Sequence, residues 1–341
     1  MTEKERNAQA ARLIAASPFW RREYFPQYFT ESFTMDYPSA PPGMPTHFDV
    51  WESERCFEWL NRTVKCWESQ VEEFYGTPDP SQFWAIGRCG GEVLWGNRDG
   101  TYRSKFFMRL ELKNGRVNYI KLMMDPLEML RAAGREVPIF RMDLFDSKVD
   151  EYLLSHPGAG KPPKDCPAED EYAGLDMSPE AIARRRTYNL ETNLCGNQRE
   201  KYRQLETVNP KFSGGAWFIP HEMDQVAHCR VEQRLDGFDF PEELAARGFA
   251  WTKASSPWMY RDTRSILFPT DDENVYFVEM HGHGPGRWRG NGCDNGHYHQ
   301  PYLLILKFDR AGRMLVRDEV LNPINKYNCV NLTLPSFPYY L

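Results

Sequence analysis

The chain of 341 residues is longer than a single hydrophobic core usually requires and fits two domains of ordinary size. Hydrophobic residues make up 41% and aromatic residues 14%, a composition typical of a protein that folds around a core. The formal net charge is −6, and no run of lysine and arginine longer than three residues supplies a local basic patch. This balance excludes binding to a nucleic-acid backbone and predicts small molecules or proteins as partners.

The sequence gives no sign of a targeting signal or a membrane span. Residues 1–17 are charged and helical in pattern, without the apolar core of a signal peptide. No stretch approaches about 18 consecutive apolar residues. The eight cysteines form no CxxC pair, which predicts buried free thiols instead of disulfides or a zinc knuckle. We therefore expect a cytoplasmic protein.

The first half reads as helices followed by long strands. Helical patterns cover residues 3–16 and 53–67, and an apolar strand over 82–93 ends in glycines. Residues 106–126, FFMRLELKNGRVNYIKLMMDP, then predict a strand, an Asn-Gly turn and a second strand. The closing Pro126 is placed to open a helix.

The second half repeats this order of elements. A helix begins at Pro179, a second helical pattern covers 241–251, and an apolar strand over 275–286 again ends in glycines. Residues 302–323, YLLILKFDRAGRMLVRDEVLNP, predict a second hairpin.

Two pairs of turn residues give the repeat a fixed period. Gly115 and Gly312 are 197 residues apart, and so are Pro126 and Pro323. Such a period indicates a tandem duplication of one α+β unit.

The boundary between the copies is marked by composition. Residues 146–176 are rich in proline, glycine and charge, and predict a linker. The predicted domains are therefore 1–145 and 177–341.

The segments YGTPDPSQFW (75–84) and LELKNGRVNYIKLMMDPLEMLRAAGREVPIFRMD (110–143) resemble the phenazine biosynthesis protein A/B family. The resemblance covers about residues 50–145, and a looser one covers about 270–326. It implies two tandem cone-shaped α+β barrels of the nuclear transport factor 2-like and SnoaL-like kind. Because such proteins are usually homodimers, the fusion would form an internal pseudo-dimer, and a further homo-oligomer is compatible with it.

The resemblance also implies an acid/base pocket, since the family is implicated in joining two aminoketone-carboxylate rings. The family's glutamate falls on Leu122 in the first copy and on Glu319 in the second. Its helix histidine and serine fall on Cys56 and Leu60. The first pocket is therefore predicted to be degenerate.

The family's pocket tyrosine falls on Tyr102 in the first copy and on Tyr298 in the second. Glu319 and Tyr298 are thus the predicted catalytic pair. Apolar neighbours would raise the pKa of Glu319 towards the range useful for acid/base catalysis, whereas Arg317 on the same strand face would lower it. The alternative is a glutamate paired with Arg317 on a solvent face.

Glu279, His281 and His283 alternate along a predicted strand and would share one face. This spacing could hold Zn²⁺ or another divalent ion, although glycines make the strand irregular. We favour the interpretation that His281 or His283 replaces the missing helix histidine as a proton shuttle.

His297 and His299 also share a face, and Tyr298 between them points the opposite way. If Tyr298 lines the pocket, these two histidines leave it. A four-histidine site is therefore not expected.

The glycine-rich stretch 284–296, GPGRWRGNGCDNG, predicts a loop at the mouth of the pocket. Arg287 and Arg289 could hold a substrate carboxylate there, or be solvated charges of a flexible loop. Trp258 is a counterpart of the family's pocket tryptophan, and Arg317 is a further candidate for orienting the substrate.

The leading interpretation is a cofactor-independent lyase, cyclase or isomerase that acts on a small cyclic ketone, aminoketone or keto acid. Its step would be a condensation, cyclisation, isomerisation or ring opening in specialised or degradative metabolism. One alternative is a metal-dependent hydrolase or lyase that uses Glu279, His281 and His283. Another is a non-catalytic protein that binds small molecules.

Overall fold

The computed structural model describes residues 1–25, 27–96, 98–140, 172–194, 207–218, 260–261, 265–288 and 293–339. The chain forms two compact units. The first contains Met1–Pro138 with Asn322–Ile324 and Thr333–Leu341, and the second contains Ile139–Leu321 with Asn325–Leu332. This differs from the predicted division, which assigned all of 177–341 to the second domain. Most of the predicted linker, and the predicted helix 241–251, lie outside the described residues.

The described residues of the first unit form three helices and six strands. The helices are α1 (Glu3–Ala15), α2 (Val50–Thr63) and α3 (Pro126–Ala132). The strands are β1 (Phe29–Asp36), β2 (His47–Phe48), β3 (Glu68–Gly76), β4 (Gln82–Trp95), β5 (Arg98–Lys113) and β6 (Arg116–Met124). They form one sheet in the order β2-β1-β6-β5-β4-β3. Strand β1 runs parallel to β6, and the other neighbours are antiparallel.

Local sequence explains where these helices begin. Thr2 and Asp49 each form a capping box with a glutamate three residues later. Asp125 caps α3 by accepting from two backbone amides, and Pro126 occupies the first turn. Helix α2 ends at Thr63, earlier than the predicted 67, because the residues from Glu68 onward form β3.

The second unit repeats this plan in the part that is described. Its helices are α4 (Pro179–Leu194) and α5 (Ile324–Cys329). Its strands are β7 (Val208–Trp217), β8 (Tyr260–Arg261), β9 (Ile266–Pro269), β10 (Val275–Trp288), β11 (Cys293–Phe308) and β12 (Met314–Val320). They are ordered β7-β12-β11-β10-β8, with β9 also paired to β10. Strand β7 is parallel to β12, as β1 is to β6.

Five strands of the first sheet, β1-β6-β5-β4-β3, therefore follow the same order as β7-β12-β11-β10-β8 of the second, with the parallel pair at the same place. The predicted α+β class, with mixed sheets and helices, is confirmed. No helix in the described ranges combines the length and the apolar character needed to cross a membrane.

One hydrophobic cluster of the second unit lies on a single face of its sheet. Val278 and Met280 of β10 and Leu304 of β11 are buried there, and Leu190 and Leu194 of α4 pack against this cluster. We call this the inner face and the opposite side the outer face.

Candidate functional site

Strand register decides which predicted site residues meet. Tyr298 on β11 lies opposite Gly284 on β10, and Leu304 lies opposite Glu319 on β12. Residues that face each other across antiparallel strands, and every second residue along a strand, share a face. Tyr298 and Glu319 are therefore both on the inner face, with the buried Leu304.

Glu319 has a close partner on its own strand. Its Oε1 atom lies 2.5 Å from Nη2 of Arg317, and the two side chains are 24% and 9% exposed. The structure thus contains the Glu319–Arg317 pair that the sequence analysis gave as the alternative. The pair lies on the inner face, however, and not on a solvent face. The guanidinium stabilises an ionised carboxylate through this ion pair.

Tyr298 carries a buried hydroxyl on the same inner face. Its side chain is 3% exposed, and its hydroxyl donates to Oε1 of Gln300 at 2.9 Å. Burial raises the pKa of Tyr298 well above its ordinary value, and the charges of Tyr302 and then Glu319 raise it further. Tyr298 is therefore a proton-bearing hydrogen-bond donor at neutral pH, within electrostatic reach of Glu319.

Gln300 and Tyr302 extend this group and were not predicted from the sequence. They follow Tyr298 at intervals of two along β11, so all three lie on the inner face. A hydrogen bond connects Tyr302 to Tyr298. Taking every second residue after Tyr298, as was done for the histidines, would have identified both residues.

The prediction that His281 or His283 acts as the proton shuttle beside Glu319 is wrong. Strand β10 places His283 opposite His299, one position from the Gly284–Tyr298 pair, so both are on the outer face. Glu279 and His281 share that face with His283, as their spacing predicted. The fixed alternation of a strand separates them from Tyr298.

The outer face of β10 and β11 carries four histidines: His281, His283, His297 and His299. The pKa of His299 is lowered, first by partial desolvation and then by the neighbouring three rings. As the side chains stand, no group of three or more His, Cys, Asp or Glu residues in the described ranges could hold a metal ion.

Most of the predicted mouth loop is strand. Strand β10 continues to Trp288 and β11 begins at Cys293, with Gly286 paired to Gly296. Only the backbone of Arg287, on β10, is described. Arg289 and Trp258 lie outside the described residues.

The first unit has different chemistry at the corresponding positions. Tyr102 is fully buried opposite Gly91, and Leu122, which is 6% exposed, lies opposite Met108. An aliphatic side chain thus occupies the counterpart of Glu319. Burial raises the pKa of the Cys56 thiol to about 12.

The first unit also contains an acid that the sequence interpretation missed. Burial raises the pKa of Asp125 to about 6, and the charge of Glu128 adds to this, although the carboxylate accepts from the backbone of Leu127 and Glu128. The Tyr102 hydroxyl donates to the Asp125 carbonyl at 3.4 Å. The sequence is sufficient to identify Asp125 as a helix cap. It does not show the desolvation of the Asp125 carboxyl, because desolvation depends on tertiary packing.

Two mixed sheets with the same order of five strands define an α+β protein built from a repeated unit. The model of the phenazine biosynthesis protein A/B family matches residues 24–146. The family resemblance of the first copy is thereby confirmed.

Curated relatives agree with this match. Phenazine biosynthesis protein PhzA1 of Pseudomonas aeruginosa is 33% identical over 105 residues, which are 30% of this chain and 64% of the relative. PhzB1 of the same organism is 31% identical over 81 residues, 24% of this chain and 50% of the relative. The chain thus matches less than two thirds of the length of either relative.

Solved structures with likeness to this chain include a phenazine biosynthesis-related protein of Pseudomonas aeruginosa. It is 19% identical, with a TM-score of 0.37, and the match covers 41% of this chain and 93% of that one. A nuclear transport factor 2-like protein of Burkholderia pseudomallei is 15% identical, with a TM-score of 0.30, and the match covers 39% and 98%.

Proposed function

We propose that the protein is a cofactor-independent acid/base enzyme whose reaction takes place on the inner face of the second unit. Its substrate would be a small cyclic ketone, aminoketone or keto acid, and its reaction a condensation, cyclisation, isomerisation or ring opening. The observation that carries the proposal is that the buried Tyr298 and Glu319 share the inner face, where the charge of Glu319 contributes to raising the pKa of Tyr298. The names of the matched relatives, all phenazine biosynthesis proteins, support a biosynthetic role.

In this mechanism Glu319 acts first as a base. Its carboxylate, ionised beside Arg317, removes a proton from the carbon next to a substrate carbonyl or imine. The negative charge then moves to the carbonyl oxygen or imine nitrogen, where the Tyr298 hydroxyl can donate a hydrogen bond. Glu319, now protonated, returns the proton at a different atom or after a new bond has formed.

Arg317 has a positioning role in this scheme. Its guanidinium holds Glu319 in one orientation, and a guanidinium is also suited to orienting a substrate carboxylate. The first unit would be the structural partner, because Leu122 supplies no proton-transfer group.

The test is proton exchange at carbon, because it requires no knowledge of the complete reaction. A panel of cyclic ketones, aminoketones and keto acids is incubated with the protein in D₂O, and deuterium uptake next to the carbonyl is followed by NMR. We expect Glu319→Gln to abolish uptake while the circular dichroism spectrum and urea midpoint are retained. Uptake that continues at the original rate would remove Glu319 from the mechanism.

Glu279→Gln separates the acid/base proposal from the metal-dependent alternative. Glu279 pairs with Leu303 and lies on the outer face, so it is on the opposite side of the sheet from Tyr298. Uptake that is lost in Glu279→Gln and in chelator, but kept in Glu319→Gln, would favour the metal-dependent hydrolase or lyase. Binding of a panel compound without exchange in any form would favour the non-catalytic protein.

A further inference from the structure

The four histidines of the outer face form a cluster on a single rigid support. They belong to β10 and β11, and His283 and His299 are directly paired across these strands. His281 lies two residues before His283, and His297 two residues before His299. All four side chains therefore emerge from the same side of one hairpin.

Four ring separations within the cluster are close to that of two imidazoles on a shared metal ion. The ring centroid of His299 lies 4.3 Å from that of His297, 5.4 Å from His281 and 5.7 Å from His283. The rings of His283 and His297 are 6.1 Å apart. With Zn–N bonds of about 2.0 Å, two imidazoles on one tetrahedral ion have centroids about 5 Å apart.

The nitrogens do not converge in the present rotamers. His297 and His299 are exposed and His281 and His283 are only partly buried. Because no packed core holds the two exposed rings, rotation about their side-chain torsions needs no movement of the strands. The backbone brings the rings within range, and an ion would select the converging rotamers.

The first unit shows that the sheet does not require histidines here. Its β4–β5 pair has the same register, with Gly91 opposite Tyr102 where the second unit has Gly284 opposite Tyr298. The positions that correspond to the four histidines in the first unit are Arg88, Gly90, Thr101 and Arg103. None of these is a usual ligand for a transition metal.

We propose that His281, His283, His297 and His299 form a surface site for a borderline divalent transition-metal ion such as Zn²⁺, Ni²⁺ or Cu²⁺. Neutral imidazoles suit these ions and not Mg²⁺ or Ca²⁺, which prefer oxygen ligands. The site lies on the sheet face opposite Glu319 and Tyr298, so it is independent of the proposed acid/base reaction.

The test uses the full chain, freed of any affinity tag and of metal, in equilibrium dialysis against Zn²⁺ or Ni²⁺. We expect one ion bound per chain, and none when Mg²⁺ replaces it. The double variant His283→Gln/His299→Gln removes the cross-strand pair and is expected to weaken binding by about tenfold or more. Broadening of the imidazole NMR signals by Cu²⁺ identifies the ligands directly.

Two controls keep the outcome clear. His47→Gln changes an exposed histidine of the first unit, and we expect it to bind Zn²⁺ as the unchanged protein does. Glu319→Gln is also expected to bind normally, so failure of the acid/base proposal leaves this one standing. Equal binding by the double variant, or no binding by the unchanged protein with Zn²⁺ in excess, would overturn the proposal.

Discussion

Nη2 of Arg317 lies 2.5 Å from Oε1 of Glu319 on the inner face of β12. The corresponding residues of β6, at the 197-residue spacing, are Ile120 and Leu122, which are both buried. The same place in the two sheets thus holds an ion pair in one unit and two aliphatic side chains in the other. We expect the inner face to accept either pair only when both positions change together.

Stability should therefore depend on the pair and not on either residue alone. We expect Arg317→Ile to lower the free energy of unfolding by about 2 kcal/mol, because it leaves a largely buried carboxylate without its cation. The double variant Arg317→Ile/Glu319→Leu reproduces the first unit and should recover most of this loss. Urea unfolding of both variants measures the coupling. A double variant as unstable as Arg317→Ile would show that the ion pair is not what the inner face requires.

Asp125 should make the first unit less stable as the pH rises through the weakly acidic range. Its pKa is about 6 in the folded protein against 3.8 for the ordinary carboxyl, so the folded state holds this proton more tightly. The stabilisation is complete below about pH 4 and is lost as the pH rises to about 6, by up to about 3 kcal/mol.

Asp125→Asn is the matched variant, because asparagine caps a helix as well as aspartate does. We expect the variant to lose this pH dependence in urea unfolding between pH 4 and 7 and to gain stability at pH 7. An unchanged pH profile would assign the carboxyl an ordinary pKa.

Local patterns were sufficient for the two hairpins and the repeat, but they did not predict β1, β3 or β7. The Asn-Gly turn at Gly115 and its counterpart at Gly312 fixed both hairpins, because turn chemistry depends on adjacent residues. Leu122 and Glu319, matched by their distance from the following proline, lie opposite Met108 and Leu304 in the two sheets.

The register between paired strands such as β10 and β11 could not be predicted from local patterns. His283 was assigned to the pocket because nothing in the sequence shows which residue of β11 lies opposite it. The length of the connection and the irregularity between Gly286 and Trp288 decide that pairing. The raised pKa of Asp125 likewise depends on how the whole unit encloses its carboxyl.

Thiol reactivity should divide the cysteines of the first unit. Burial raises the pKa of Cys56 and of Cys89 to about 12, so both remain neutral thiols at pH 8. Cys66 is exposed. We expect iodoacetamide to label Cys66 first and the other two only in urea, as measured by mass spectrometry of the peptides. Labelling of Cys56 at the rate of Cys66 would show that its site opens readily.

The C-terminal residues Thr333–Leu341 should stabilise the first unit, with which they pack. The ring of Phe337 is 2% exposed and lies 5.3 Å from Trp95 and 5.8 Å from Trp59, centroid to centroid. We expect Phe337→Ala to lower the free energy of unfolding of this unit by about 3 kcal/mol, because it leaves a cavity between two indoles. Amide hydrogen exchange should then become faster in α2 and β4 but not in β10 and β11.

Thr333→Ala, at an exposed position of the same segment, is the control and should leave exchange unchanged. Faster exchange confined to the second unit would contradict this prediction, because it would show that the segment stabilises the second sheet and not the first.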